Sequence, residues 1–403
     1  MPNRLRRALA VACAALIFCA VLSGAAAPDG NLHVIDDLGD ADGAQVADVD
    51  RDGRVDVVAA SSRHRGRSSK IYWYRQGKSP RHWTRHPIYT GDRLKKVEGI
   101  DVHDYDGDGT PEVFALDQAG GVLAVFSAET EKPAGSWRMC LADRNCYGAQ
   151  DSMIADIAGD GAPELVYTWE GGDADSGGVK CLRYTGGPVG EADSWTVSTL
   201  VDHPGAWWLC SSGMLDLDGD GSRDDIVFGA RRNRNSSPRP GVFWLEGPED
   251  EGGEWSEHVI DDSPEAVLQL DAGDFDGDGV ARDLVACAGP FQHAYLYTYP
   301  DWERRKIELP ADRGVWNARR TPYRAGGRHG IVLTLANDHT YVLHWTGQSW
   351  TQRRLFSNTY GHPLDDRIIY TDLDGDGAAE AVIPDSGGNR LFWVSFAHVR
   401  PTR

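Results

Sequence analysis

Six short segments of the chain crowd carboxylates into turns too rich in glycine to be helix or strand. "DYDGDGTPE" places Asp104, Asp106, Asp108 and Glu112 within nine residues. Carboxylates this close repel one another unless a cation sits among them. An all-oxygen donor set of this kind suits a hard divalent cation, calcium above all. The spacing starts as an EF-hand does, but an EF-hand needs a bidentate Glu at its twelfth position, and Ala115 stands there. Glu112, the ninth residue, offers the missing carboxylate instead, and Gly109 permits the reversal.

The other five follow the same plan. "DVDRDGRVD" supplies Asp48, Asp50, Asp52 and Asp56. "DLDGDGSRDD" supplies Asp216, Asp218, Asp220 and Asp225, and "DFDGDGVARD" supplies Asp274, Asp276, Asp278 and Asp283; in both the last acid falls one residue later. "DLDGDGAAE" supplies Asp372, Asp374, Asp376 and Glu380. "DIAGDGAPE" keeps Asp156, Asp160 and Glu164 but has Ala158 in the middle. Five calcium sites and a weaker sixth at Asp156 are expected, holding turns rather than catalysing. For catalysis the chain offers neither H-E-x-x-H nor G-x-S-x-G, and its 13 histidines are scattered.

The elements that carry these turns repeat with them. The first aspartates lie at 48, 104, 156, 216, 274 and 372, and the last step spans about two repeats. A seventh unit without the carboxylate set, "NARRTPYRAGGRHGIVLTLAND", fills that gap. In each unit one short strand enters the acidic turn ("GAQVADVD") and a second leaves it ("RVDVVAAS"). An aromatic third ("KIYWYRQ") and a Trp-bearing fourth ("HWTRHPIY") follow. Four short antiparallel strands recurring at about fifty residues predict an all-β, seven-bladed β-propeller. The last unit stops after its third strand, while an orphan strand at 31–37 carries "HVIDD", the same five residues as His258 to Asp262 in a fourth strand. The N-terminal strand is therefore expected to complete blade seven and close the ring. Trp83, Trp137, Trp195, Trp255, Trp302 and Trp350 recur once per unit and are expected between blades.

On these residues the chain resembles the FG-GAP/VCBS repeat family, whose members set a D-x-D-x-D-G calcium loop between the first two strands of each blade, as in the integrin α head. The resemblance covers nearly all of residues 28–403 and implies one propeller domain. Ala158 and the empty sixth repeat depart from the pattern.

Arg4, Arg6 and Arg7 precede the apolar run "ALAVACAALIFCAVL" and small residues follow, which reads as a signal peptide over residues 1–27. Secretion or a periplasmic or cell-surface location follows from it, with no membrane span, no nucleic-acid partner and a monomeric state expected. Five cysteines remain beyond it, of which Cys140 and Cys146, flanking a short polar loop, are the expected disulfide. The formal charge of −20 is largely accounted for by the acidic turns.

A four-strand meander puts the acidic turns on one face and the blade-to-blade connections on the other. That second face is expected to carry a glycan or protein ligand. Basic loops there include Arg63, Arg65, Arg67 and Lys70; Arg93, Lys95 and Lys96; and Arg231, Arg232, Arg234 and Arg239. Tyr147, Trp207, Trp208, Trp316 and Tyr360 are candidate stacking platforms. The alternative is a carbohydrate-active enzyme, a lyase or dehydratase, with its site at that same pore mouth, an analogy at fold level only.

Overall fold

Five second strands, "DVVAAS", "EVFALD", "ELVYTW", "DLVACA" and "EAVIPD", are buried at every residue. A strand covered on both faces needs a sheet packed against each side, and radially stacked blades supply that. The computed structural model describes residues 20–21 and 32–399, apart from 63–67, 130–132, 172–175, 233–238, 249–251, 265, 289–292, 309–313, 336–338, 358–366 and 398.

Seven antiparallel sheets, each of four meander strands, make the seven blades. Their first strands are Ala41–Ala47, Val97–His103, Ser152–Ala155, Ala206–Leu209, Val267–Gly273, Val315–Ala325 and Ile369–Thr371. Blade seven takes its outer strand, Leu32–Asp36, from the other end of the chain, with Leu32 opposite Val394 and His33 opposite Trp393. The ring closes as the repeated "HVIDD" predicts. A two-residue strand, Ala20–Val21, pairs in parallel with Thr351 and Gln352 at the outer edge of blade six. Among the described residues no helix is long and apolar enough to cross a membrane.

The core is seven apolar clusters, one at each blade junction. Val58, Ile71 and Trp73 of blade one meet Val113, Ala124 and Phe126 of blade two. The series continues round to blades seven and one, where Val382 and Trp393 meet Val57 and Tyr74. The tryptophan opening each fourth strand packs on the cluster shared with the preceding blade: Trp83, Trp137, Trp195, Trp255, Trp302 and Trp350 each do so. In blade seven Leu32 takes that place, which is why the closing strand carries no tryptophan and still seals its junction.

The cysteines depart from expectation. No disulfide joins Cys140, Cys146, Cys181, Cys210 or Cys287 to one another. Cys146 is buried in the cluster between blades two and three, while the Cys140 thiol donates to the Val189 carbonyl. Both pack on that same cluster, where the Cys140 thiol has a carbonyl and not a second sulfur as its partner.

Candidate cation turns and the central channel

All six acidic turns link first to second strands and therefore share one face. Within each, the first aspartate organises the backbone. Asp48, Asp104, Asp156, Asp274 and Asp372 accept the amides of Gly53, Gly109, Gly161, Gly279 and Gly377 at 2.8–3.1 Å. Those glycines have φ between +82° and +97°, a region closed to most side chains. In the fourth turn Asp216 accepts from Gly219 instead. In the first turn Arg51 occupies a left-handed position, φ +59°, that glycine fills in the others.

The last acid of each turn is the buried one. Asp56, Glu112, Glu164, Asp225, Asp283 and Glu380 are at most 4% exposed, and each accepts the amide of the residue after the first aspartate. Burial, reinforced by neighbouring turn carboxylates, raises their pKa values: to about 6 for Asp56, Asp225 and Asp283, about 7 for Glu380 and about 8 for Glu112. The position that had to replace the EF-hand's twelfth acid is thus the one whose charge is least tolerated without a counter-ion.

Carboxylate oxygens converge within 4.8 Å of one another in five turns: Asp48, Asp50 and Asp56; Asp104, Asp106 and Asp108; Asp216, Asp218 and Asp220; Asp274, Asp276 and Asp283; Asp372, Asp374 and Glu380. Asp52, Asp278 and Asp376 cap their own turns by accepting amides two residues on. Buried oxygens of Asp50, Asp104 and Asp225 accept no hydrogen bond. Such atoms are costly unless something fills them, and a hard cation fits the donor set.

The third turn lacks the middle carboxylate, and an arginine of the third strand reaches into it as Arg75 does into the first turn, where it pairs with Asp50 at 2.5 Å and Asp52 at 2.9 Å. Arg183 on the third strand places its Nε 2.8 Å from Glu164 and a terminal nitrogen 4.0 Å from Asp160. With Ala158 lacking a carboxylate, a guanidinium supplies the positive charge. Arginines also cross between turns: Arg51 donates to Thr110 at 2.9 Å, Arg282 pairs with Asp216 at 2.9 Å, and Arg324 with Asp274 at 2.8 Å. Arg324 belongs to blade six, where the acidic turn is replaced by a tight Gly326–Gly327 hairpin between Val315–Ala325 and Arg328–Leu335. The unit without the carboxylate set lends its charge to its neighbour.

On the opposite face the expected stacking platforms are mostly taken up. Trp207 and Trp208 are 8% and 4% exposed within the core between blades four and five, so neither offers a free face. Arg231 lies over the Trp207 ring at 3.1 Å and pairs with Glu170 at 2.7 Å. Trp316 is half-buried, Arg232 is exposed, and Tyr147 is 52% exposed. Arg63, Arg65, Arg67, Arg234 and Tyr360 lie outside the described residues.

The ring's centre, unmarked by any sequence motif, is charged and polar. A cavity of about 490 Å³ is lined by Asp101, Asp151, Asp271, Arg319, Arg320 and Arg367 among others. Arg367 of blade seven spans it, pairing with Asp151 of blade three at 2.5 Å and donating to the Ile100 carbonyl of blade two at 3.2 Å. Their source in five different blades is why spacing along the chain gave no sign of them.

The FG-GAP-like repeat family model matches residues 48–115, the first two acidic turns and the strands between them. No curated protein matches the chain. Among solved structures, BBS1N in complex with ARL6DN, soaked with lead, is similar in fold, with a TM-score of 0.51 at 11% identity over 89% of this chain and 94% of that one. The same complex soaked with mercury gives a TM-score of 0.51 at 10% identity over 91% and 99%.

Proposed function

Because this chain is a β-propeller of FG-GAP-like repeats, we propose that it is an interaction module whose acidic face is held by five calcium ions and whose other face meets a glycan or protein ligand outside the cytoplasm. The observation that carries the calcium reading is the pair of buried, unpartnered oxygens on Asp50 and Asp104 within clusters of convergent carboxylates, with a third such oxygen on Asp225 at the end of the fourth turn. Calcium would neutralise each cluster and fix the turn between first and second strands, so that binding energy becomes folding energy. Asp48, Asp50, Asp52 and Asp56 would hold it in the first turn, and Asp104, Asp106, Asp108 and Glu112 in the second. The third turn is served by Arg183 in place of the ion.

Calcium at millimolar levels outside cells matches turns of modest affinity, which agrees with the secretory reading of residues 1–27. A protein ligand is supported by the similar propeller in BBS1N, which is found in complex with ARL6DN. The expected monomer leaves the non-acidic face free for it. Immobilised protein carrying calcium should retain a partner from a glycan array or an extracellular protein library. Arg232→Glu, on an exposed residue of that face, should weaken retention at least about tenfold. Retention equally strong after charge reversal across Arg232 and Arg239 would place the ligand elsewhere.

The arginine substitution in turn three gives its own prediction. Ala158→Asp combined with Arg183→Gln restores the missing carboxylate and removes the guanidinium. Isothermal titration should then count one calcium ion more per chain than in the wild type. An unchanged count would show that Arg183 is not what stands in for the ion.

A further inference from the structure

We propose that the central channel binds a small hydroxylated monocarboxylate anchored on Arg320. Six charged side chains line the cavity, three acidic and three basic, and five of them are committed to one another or to the wall. Asp101 accepts from Gln45 at 3.2 Å and from Ser152, and lies 3.7 Å from Arg367. Asp151 takes Arg367 and the Leu209 amide. Asp271 accepts the Ser212 hydroxyl and the amides of Ala272 and Arg320, the latter two at 2.9 Å. Arg319 donates to the Leu270 carbonyl at 3.0 Å and to Ser211.

Arg320 is different. Only its backbone is engaged: its amide donates to Asp271, and its carbonyl accepts the Tyr370 hydroxyl at 2.8 Å. Among the described residues no carboxylate lies within ion-pair distance of its guanidinium. Arg320 lines the cavity, and its charge acts on Cys210 and Tyr370 of the cavity wall as well as on His329 of the adjoining strand. A half-buried cation beside a cavity of about 490 Å³, within the size range of small-molecule sites, is a ready anchor for an anion.

The surrounding charges limit the anion to a single negative charge. One uncommitted arginine balances one charge; a dianion would set its second against Asp101, Asp151 and Asp271 in a weakly screened interior. Gln45, His103, Ser211 and Ser212 line the same space and offer polar groups to ligand hydroxyls. This inference does not rest on the calcium reading.

Isothermal titration in saturating calcium, with D-glucuronate, D-glucose and glucose 6-phosphate as probes, tests it. Glucuronate is expected to bind, glucose at least about tenfold more weakly, and the phosphate ester more weakly than glucuronate. Arg320→Gln should cost at least about tenfold in glucuronate affinity without shifting the melting temperature, because its side chain forms no ion pair with a described residue; Arg320→Lys should retain part of the binding. Arg231→Gln, outside the channel, should change neither. Absence of binding by glucuronate and equally by gluconate and lactate would overturn the proposal. So would full affinity in Arg320→Gln, or a phosphate ester that binds as tightly as the carboxylate.

Discussion

In excess chelator the protein is expected to melt on the order of 10 °C lower than in millimolar calcium. A single ion at tenfold its dissociation constant stabilises the native state by about 1.4 kcal/mol, so five together contribute about 7 kcal/mol. In a chain of this length each kcal/mol corresponds to about one to two degrees. The pH dependence carries a sign that ordinary screening would not give. Without calcium, Asp56, Glu112, Asp225, Asp283 and Glu380 have folded-state pKa values of about 6 to 8, above those of an unfolded carboxylate. A raised folded value means the native state holds protons the unfolded state has released. Stability of the chelated protein should therefore fall as pH rises from 6 to 8. Saturating calcium should remove that slope, because the ion replaces the protons. Differential scanning at three pH values with and without calcium measures both effects, and identical melting in chelator and calcium would show that these turns need no ion.

The second large effect is expected at the ring's centre. Arg367→Ala should cost about 3–5 kcal/mol, because Asp101 and Asp151 would keep buried charges without their partner. Both are nearly inaccessible, at 3% and 6% exposed. Burial already raises the Asp101 pKa, against the opposing pull of Arg367, so removing the arginine should also make the variant more stable at mildly acid pH than at neutral pH. Arg367→Met with Asp151→Asn should recover much of the loss by removing charge on both sides. Denaturant unfolding of the three proteins decides this. A single variant as stable as the wild type would mean the channel pair holds nothing together.

The fold was legible in the sequence because each of its devices repeats. The acidic turn shows where six of the seven first hairpins lie, the fourth-strand tryptophan marks six of the seven blade junctions, and "HVIDD" at residues 33–37 matches a fourth strand far along the chain. Repetition turns a weak local signal into a strong one. What failed to show lacked that repetition. Arg183 reaches Glu164 and Asp160 from a strand about twenty residues on, and no spacing rule marks a guanidinium as a stand-in for an ion. The channel residues sit at one strand level in different blades but differ in type from blade to blade: Asp101, Asp271, Arg319. Trp207 and Trp208 read as surface aromatics because they follow a loop, yet they open the first strand of blade four and are drawn into the core. Cys140 and Cys146 read as a disulfide from separation alone, which says nothing about direction.

The acidic turns are the most conspicuous motif of the chain, but we propose that they fix hairpins on one face. The channel around Arg320 and the blade connections opposite offer the surfaces on which a ligand could be discriminated.

The most direct test counts ions. Equilibrium dialysis of the chelated and reloaded protein against radiolabelled calcium, with protein concentration from amino-acid analysis, gives the number bound per chain. The convergent clusters in five turns, with Arg183 serving the third turn and a Gly326–Gly327 hairpin in blade six, predict five. A stoichiometry of one or none at millimolar free calcium would contradict the account.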